Sequence, residues 1–352
     1  MSDRSAIFVC GHGSRDVDAT REFDLLARGI KTRLPDHDVG SGYLEFARPT
    51  IAEGLSALVE RGARNILAVP AMLFAAGHVK NDLPWELNSF AASHPGIVVR
   101  FGRDLAIDGK LLKAARDRIV EAERSRADAV ERDETLLMVV GRGTNDSDAN
   151  SNIAKVSRML WEGMGFGWAE TAFSGVAHPR VNAALRRAVR LGFRRIIVFP
   201  YFLFTGVLVK RIYSQTDEVA AEHPAVEFVK ADYLKDHPLV LDTFVDRIVE
   251  IGAGTGNMNC QLCKYREQIV GFESAVGQVQ AGHHLHVVGV GTDADRTGHH
   301  HHHAHDHGHD HAHHHHHGHS HEHGHDHAHG PKGEHQDAHH HGHRHGRPHS
   351  HD

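Results

Sequence analysis

The sequence predicts an α/β protein of two tandem Rossmann-like units, each a parallel sheet flanked by helices. Two observations carry this: apolar strand-like runs alternate with amphipathic helical stretches, and the second half of the pattern repeats the first. The repeat runs at a constant offset of 130 residues, as from Pro49 to Pro179. RPTIAEGLSALVERGARNILAVP, from Arg48, lies over HPRVNAALRRAVRLGFRRIIVFP, from His178, with Gly62 on Gly192, Ile66 on Ile196 and Pro70 on Pro200. Gly11-His12-Gly13 falls on Gly141-Arg142-Gly143 without a gap.

Taken in order, Ile7-Phe8-Val9-Cys10 has the length and apolarity of a strand buried on both faces, and the glycines after it allow a sharp turn. A helix is predicted over 17–34, a strand over 38–46, a helix over 49–61 and a strand over 65–69 ending at Pro70. The loop 71–79 delivers His78, and a helix over 80–92, a strand over 97–101 and a helix over 108–126 complete the half. The charged stretch 125–134 reads as a helix end and a linker. The predicted organisation is an N-terminal unit at 1–126, a second unit at 134–251, an extension at 252–298 and a histidine-rich tail at 299–352.

Of 38 histidines, 28 fall between His299 and Asp352, and this low-complexity tail cannot bury a core. Its many neutral imidazoles suit several divalent ions bound weakly and reversibly. A net charge of -6 gives no basic footprint for nucleic acid. Three cysteines do not make a disulfide framework and suit a reducing cytoplasm, and no run is long enough to span a membrane.

In an open parallel sheet, ligands bind outside the carboxyl ends of the strands. His12 follows the first strand, Glu45 ends the second and His78 follows the third. Their counterparts in the second half are Arg142, Gly175 and Leu208, so the scaffold was duplicated while the candidate ligands sit on one copy. Two imidazoles and a carboxylate that leave open positions describe a site that handles a metal rather than locking it away. Glu45 reads equally as a ligand or as a group that orients a histidine. Gly11-x-Gly13 has Asp16 where a dinucleotide fingerprint needs its third glycine, and Ser14 lacks the context of a hydrolase elbow. Trp85, Trp161 and Trp168 read as core residues, and Cys10 as structural.

CGHGSR at 10–15, LEFARPTI at 44–51 and VPAMLFAAGHVKNDLP at 69–84 together resemble the CbiX-type sirohydrochlorin chelatases, the class II chelatases related to ATP-independent ferrochelatases. The resemblance covers about residues 5–250 and implies insertion of Co2+ into sirohydrochlorin on the route to cobalamin, with His12 and His78 as the metal-handling pair. Iron insertion towards siroheme is the neighbouring alternative, and a cobalt or nickel storage or metallochaperone protein is an alternative of another class. The macrocycle's eight carboxylates call for cations, and Arg15, Arg48, Lys80, Arg142, Lys210 and Arg211 all fall at predicted strand ends or helix starts. Of these, the repeat-related Lys80 and Lys210 are the leading candidates. Met258-x-Cys260-x-x-Cys263 resembles the iron–sulfur motif of the long subclass. Two thiolates cannot complete a 4Fe-4S cluster. Either two copies share one in a homodimer, or His283, His284 or His286 contribute, and a thiol redox pair or half of a zinc site would use the same residues.

Overall fold

The computed structural model describes residues 5–256, 263–267, 270–271 and 273–277. The tail and Cys260 lie outside the described residues, as do His283, His284 and His286.

Two parallel four-stranded sheets form as the repeat predicts. In the first, β1 (Ala6–Gly11) is flanked by β2 (Val39–Tyr43) and β3 (Asn65–Pro70), with β4 (Val98–Phe101) beyond β3. In the second, β5 (Thr135–Gly141) is flanked by β6 (Trp168–Phe173) and β7 (Arg195–Pro200), with β8 (Glu227–Lys230) outside. The register is conserved between copies: Cys10 lies opposite Gly42 and Pro70, as Val140 lies opposite Ala172 and Pro200. The predicted second strand ends early, at Tyr43, so Glu45 sits in the loop that follows.

Alternation along β1 explains why both faces are apolar. Ile7 and Val9 join one core while Ala6, Phe8 and Cys10 join another, on the opposite side of the sheet. The outer core of the first half is closed by α2 (Ile51–Glu60) and α3 (Leu83–Ser93), and that of the second by α6 (Val181–Val189) and α7 (Val207–Glu222). The inner core is common to both halves. It collects Phe23, Leu26 and Ile30 of α1 (Val17–Arg33), Leu111 and Ile119 of α4 (Gly109–Arg124), Ile153 and Leu160 of α5 (Ser147–Met164), and Phe244 and Ile248 of α8 (Pro238–Ala253). α8 ends the second half but packs against β3, α1 and α4 of the first, where Asp242 pairs with Arg33, Glu250 with Arg103 and Arg247 with Asp108.

Glycine is required where the turn after the first strand of each copy presses on the next loop. Gly13 has φ +96°, and a methyl there would lie 1.6 Å from the carbonyl oxygen of Glu45. Gly143, at φ +80°, would place one 1.9 Å from that of Gly175. Phe46 and its equivalent Val176 both hold positive φ without being glycine, which makes the left-handed residue a property of the repeated loop.

Candidate metal site and cleft

His12 leaves the end of β1, and the Glu45 amide donates to its carbonyl at 3.0 Å. That backbone bond brings the β1 and β2 loops together and sets Glu45 beside the imidazole. His12 Nδ1 lies 3.0 Å from the Gly13 carbonyl, which fixes the proton on that nitrogen and leaves Nε2 with its lone pair. Nε2 is buried, has no hydrogen-bond partner, and faces Glu45 Oε1 at 3.2 Å. A lone pair opposed to a carboxylate oxygen at that distance is satisfied by a cation between them.

His78 arrives from the third strand by a single turn of π-helix, His78–Asp82, that leads into α3. The prediction of an ordinary helix from residue 80 misses this turn, which carries the site residue itself. The turn lets His78 Nδ1 meet Asp82 Oδ2 at 2.7 Å, and Asn81 Nδ2 donates to Oδ1 of the same carboxylate at 2.8 Å. Asp82 is thus a site residue that the sequence reading missed, although its spacing of four from His78 was a visible signal. The two imidazoles stand nearly perpendicular, 82° apart with centroids at 4.6 Å. One ligand atom each from His12, Glu45 and His78 lies within 4.8 Å of the others, so a single ion can be reached by all three.

Burial, with electrostatic repulsion from the His78 and Arg142 side adding to it, lowers the His12 pKa to about 3. Burial raises that of Glu45, against the pull of His78 and Arg142. The site therefore holds a neutral imidazole and a carboxylate that takes a proton more readily than usual.

The triad opens on a cleft of about 560 Å³ lined from both halves, with Phe23, Phe46, Phe74, Leu203 and Phe204 among its apolar walls. Phe46 stacks on His12 with ring centroids 6.4 Å apart, and the Arg15 guanidinium lies 5.0 Å over the Phe46 ring. Arg142 reaches the cleft from the second half. It is open to solvent from the cleft side yet surrounded by protein, and desolvation depresses its proton affinity while Glu45 nearby opposes that effect.

The other expected cations divide. Arg48 pairs with Glu53 at 3.0 Å on the surface. Arg211 is exposed beside the loop that corresponds to the Glu45 loop. Lys80 and Lys210, the leading candidates, require a correction: both are engaged as counter-ions. Lys80 is buried with its ammonium 2.8 Å from Asp146 and 3.2 Å from Asp148, while Lys210 lies 2.6 Å from Asp16 and 3.7 Å from Asp18. Asp16 and Asp146 are the N-caps of α1 and α5, so each half's lysine ties down the first helix of the other half. Of the iron–sulfur pair, Cys263 is buried and Cys260 falls outside the described residues. Cys10 lies within β1, so the described residues do not fit a four-thiolate cluster. Trp161 and Trp168 pack on each other, with centroids at 4.9 Å, and neither lines the cleft.

The model of the family described as CbiX matches residues 6–122 and again 136–251. The chain is 34% identical over 268 residues to the sirohydrochlorin cobaltochelatase of Priestia megaterium, covering 75% of this chain and 85% of that one. It is 27% identical to the sirohydrochlorin ferrochelatase of Bacillus subtilis, covering 72% and 94%. Among solved structures, SirB from Bacillus subtilis with Fe3+ superposes with a TM-score of 0.63 at 27% identity, covering 72% of this chain and 99% of that one. SirB from the subspecies spizizenii in complex with cobalt gives 0.60 at 26% identity, covering 71% and 96%. With both of its halves matched in order and the candidate triad carried on the first, the chain belongs to the CbiX family of chelatases.

Proposed function

We propose that the protein inserts Co2+ into sirohydrochlorin, without nucleotide, on the route to cobalamin. The observation that carries this is the triad of His12, Glu45 and His78 on the wall of a cleft of about 560 Å³. Metallation exchanges two pyrrole N–H protons for a dication, so the protein must hold a partly dehydrated ion, take up protons and present one macrocycle face to the ion. His12, kept neutral by burial, and His78 supply the nitrogen donors, and both are aimed by hydrogen bonds at Nδ1. Glu45, with its raised pKa, accepts one pyrrole proton as the ion leaves it for the ring, and the other passes to solvent at the open side of the cleft. Open positions on the ion let it pass to the macrocycle nitrogens, which a closed four-ligand site would prevent.

In this reading Arg15 and Arg142 meet carboxylate arms at the cleft. The histidine-rich tail concentrates metal for the site, and the extension carries a cluster only if a second copy or another ligand completes it; both readings rest on composition and motif. The cysteine usage supports a cytoplasmic setting, and among the described residues no helix is long and apolar enough to cross a membrane.

The test is anaerobic incubation with sirohydrochlorin and cobalt, followed by the pigment's absorbance, with Fe2+ and Ni2+ in competition. Wild type should metallate the pigment with cobalt preferred, and His12→Ala and His78→Ala should each lose at least about a hundredfold in rate. Unimpaired rates in both variants would remove this site, and a preference for iron would move the reading to siroheme.

A further inference from the structure

The repeat allows the metal wall to be compared with its counterpart across the cleft. His12, Glu45, His78, Asp82 and Glu86 correspond to Arg142, Gly175, Leu208, Ile212 and Thr216. Every imidazole and every carboxylate of the first wall is absent from the second. Two neutral positions have also become cationic, since Thr50 corresponds to Arg180 and Asn81 to Arg211. One copy bears groups that hold a cation, and the other has lost them and gained guanidiniums.

The geometry gives this exchange a location. Gly175 stands where Glu45 stands in the first half, and a methyl on it would lie 3.5 Å from the Arg142 carbonyl oxygen and 3.9 Å from both Arg180 Nη1 and Arg211 Nη2. The space that a glutamate side chain would enter is thus bracketed by two guanidiniums. Among the described residues, neither of these guanidiniums nor that of Arg142 has a hydrogen-bonding or ion-pair partner. Arg180 is half-buried and Arg211 exposed, whereas the buried Arg195 and Arg247 are paired, with Glu227 and with Asp108 and Glu250. Two cations that converge on one vacated position repel each other unless an anion lies between them, and a guanidinium pair suits a carboxylate.

We infer that the second half's copy of the metal site is an anion site, in which Arg180 and Arg211 hold one carboxylate arm of the tetrapyrrole and Arg142 faces the ring between them and the metal. The inference rests on the chelatase reading for the identity of the ligand. The macrocycle is then clamped at the second half while the ion approaches from the first, and Leu208 keeps metal off the clamping side.

The experiment is an anaerobic absorbance titration of metal-free sirohydrochlorin into the full chain and into an R180Q/R211Q double variant. The variant should bind the macrocycle about tenfold or more weakly and with a flatter dependence on salt. Its KM for sirohydrochlorin should rise while cobalt binding, titrated with the metal alone, stays as in wild type. An R180K/R211K variant should recover part of the affinity, because charge persists without the bidentate fork. Equal affinity and salt dependence in wild type and R180Q/R211Q would overturn the inference. So would a parallel loss of cobalt binding, which would mark a general structural defect. Loss of inorganic phosphate binding with sirohydrochlorin binding intact would assign the site to a free anion and overturn it as well. A wild-type chain that binds sirohydrochlorin but never metallates it would remove the chelatase reading and leave the clamp standing.

Discussion

At the scale of single residues, the metal site depends on which nitrogen of each histidine carries the proton. Gly13 fixes His12 through a backbone carbonyl, whereas His78 depends on the Asp82 side chain at 2.7 Å, so the second imidazole can be tested without removing it. Asp82→Asn keeps the shape but removes the charged acceptor that aligns the ring. Cobalt affinity, measured by titration of the metal alone, should fall roughly ten- to a hundredfold with the fold intact. An unchanged affinity would show that His78 is held by packing. The burial of His12 also has a cost that pH exposes. Below pH 6.5 the unfolded chain takes up a proton on this imidazole that the folded chain refuses until about pH 3. Across that window the unfolded state binds more protons, so this residue makes stability fall as pH falls. His12→Gln should flatten the slope of unfolding free energy between pH 6 and 4 by up to about 1.4 kcal/mol per pH unit, read from denaturant melts. A variant with the wild-type slope would show that the ring is protonated in the folded protein.

At the scale of elements, the two copies make the same cross-connection in different surroundings. Lys80 joins the start of α3 to the cap of α5 out of solvent, while Lys210 joins α7 to the cap of α1 with its side chain about half exposed. Burial disfavours the Lys80 charge, but Asp146 and Asp148 outweigh it and the pKa ends above its ordinary value. Removing the Lys80 charge leaves buried carboxylates uncompensated, so Lys80→Met should cost roughly 3 to 5 kcal/mol in denaturant unfolding. Lys210→Met should barely move the transition, because water screens that pair. Equal effects would show that burial does not set the value of the tie. These lysines also mark how far the sequence was legible. The repeat placed both correctly as equivalents, and it located His12, Glu45 and His78 because ligand types sit at strand ends in one copy only. It could not show that each lysine crosses to the opposite half, because local patterns carry no information about contacts 66 residues apart, such as Lys80 with Asp146. The π-turn at His78 escaped for a related reason: periodicity marks that a helix begins, not that its first turn is widened to aim a side chain. Arg180 went unnoticed because its signal lies in the missing partner, which only side-chain positions reveal.

At the scale of the whole chain, duplication did not produce two independent units. Each half keeps an outer core of its own, but the inner core draws on both, and the last helix of the second half completes the first. Leu241 of α8 fills the space over Gly29 of α1, Ile251 packs over Gly102 beyond β4, and Arg247 is buried against Asp108 and the Leu105 carbonyl. Among the described residues the first half holds the whole proposed triad and yet lacks the helix that closes it. A fragment of residues 1–130 would therefore expose the inner faces of α1 and α4, and it should show no cooperative thermal transition and bind cobalt poorly. A chain ending at residue 256 keeps α8 and all three ligands. It should melt cooperatively and metallate sirohydrochlorin at saturating cobalt as the full chain does, while binding fewer cobalt ions for want of the histidine-rich tail. The two truncations separate the contributions by calorimetry and metal titration on the same preparations. A cooperative melt and full cobalt affinity in the 1–130 fragment would mean that the shared core is dispensable to the site. An inactive 1–256 chain at ample cobalt would place part of the catalytic apparatus in the segment beyond α8.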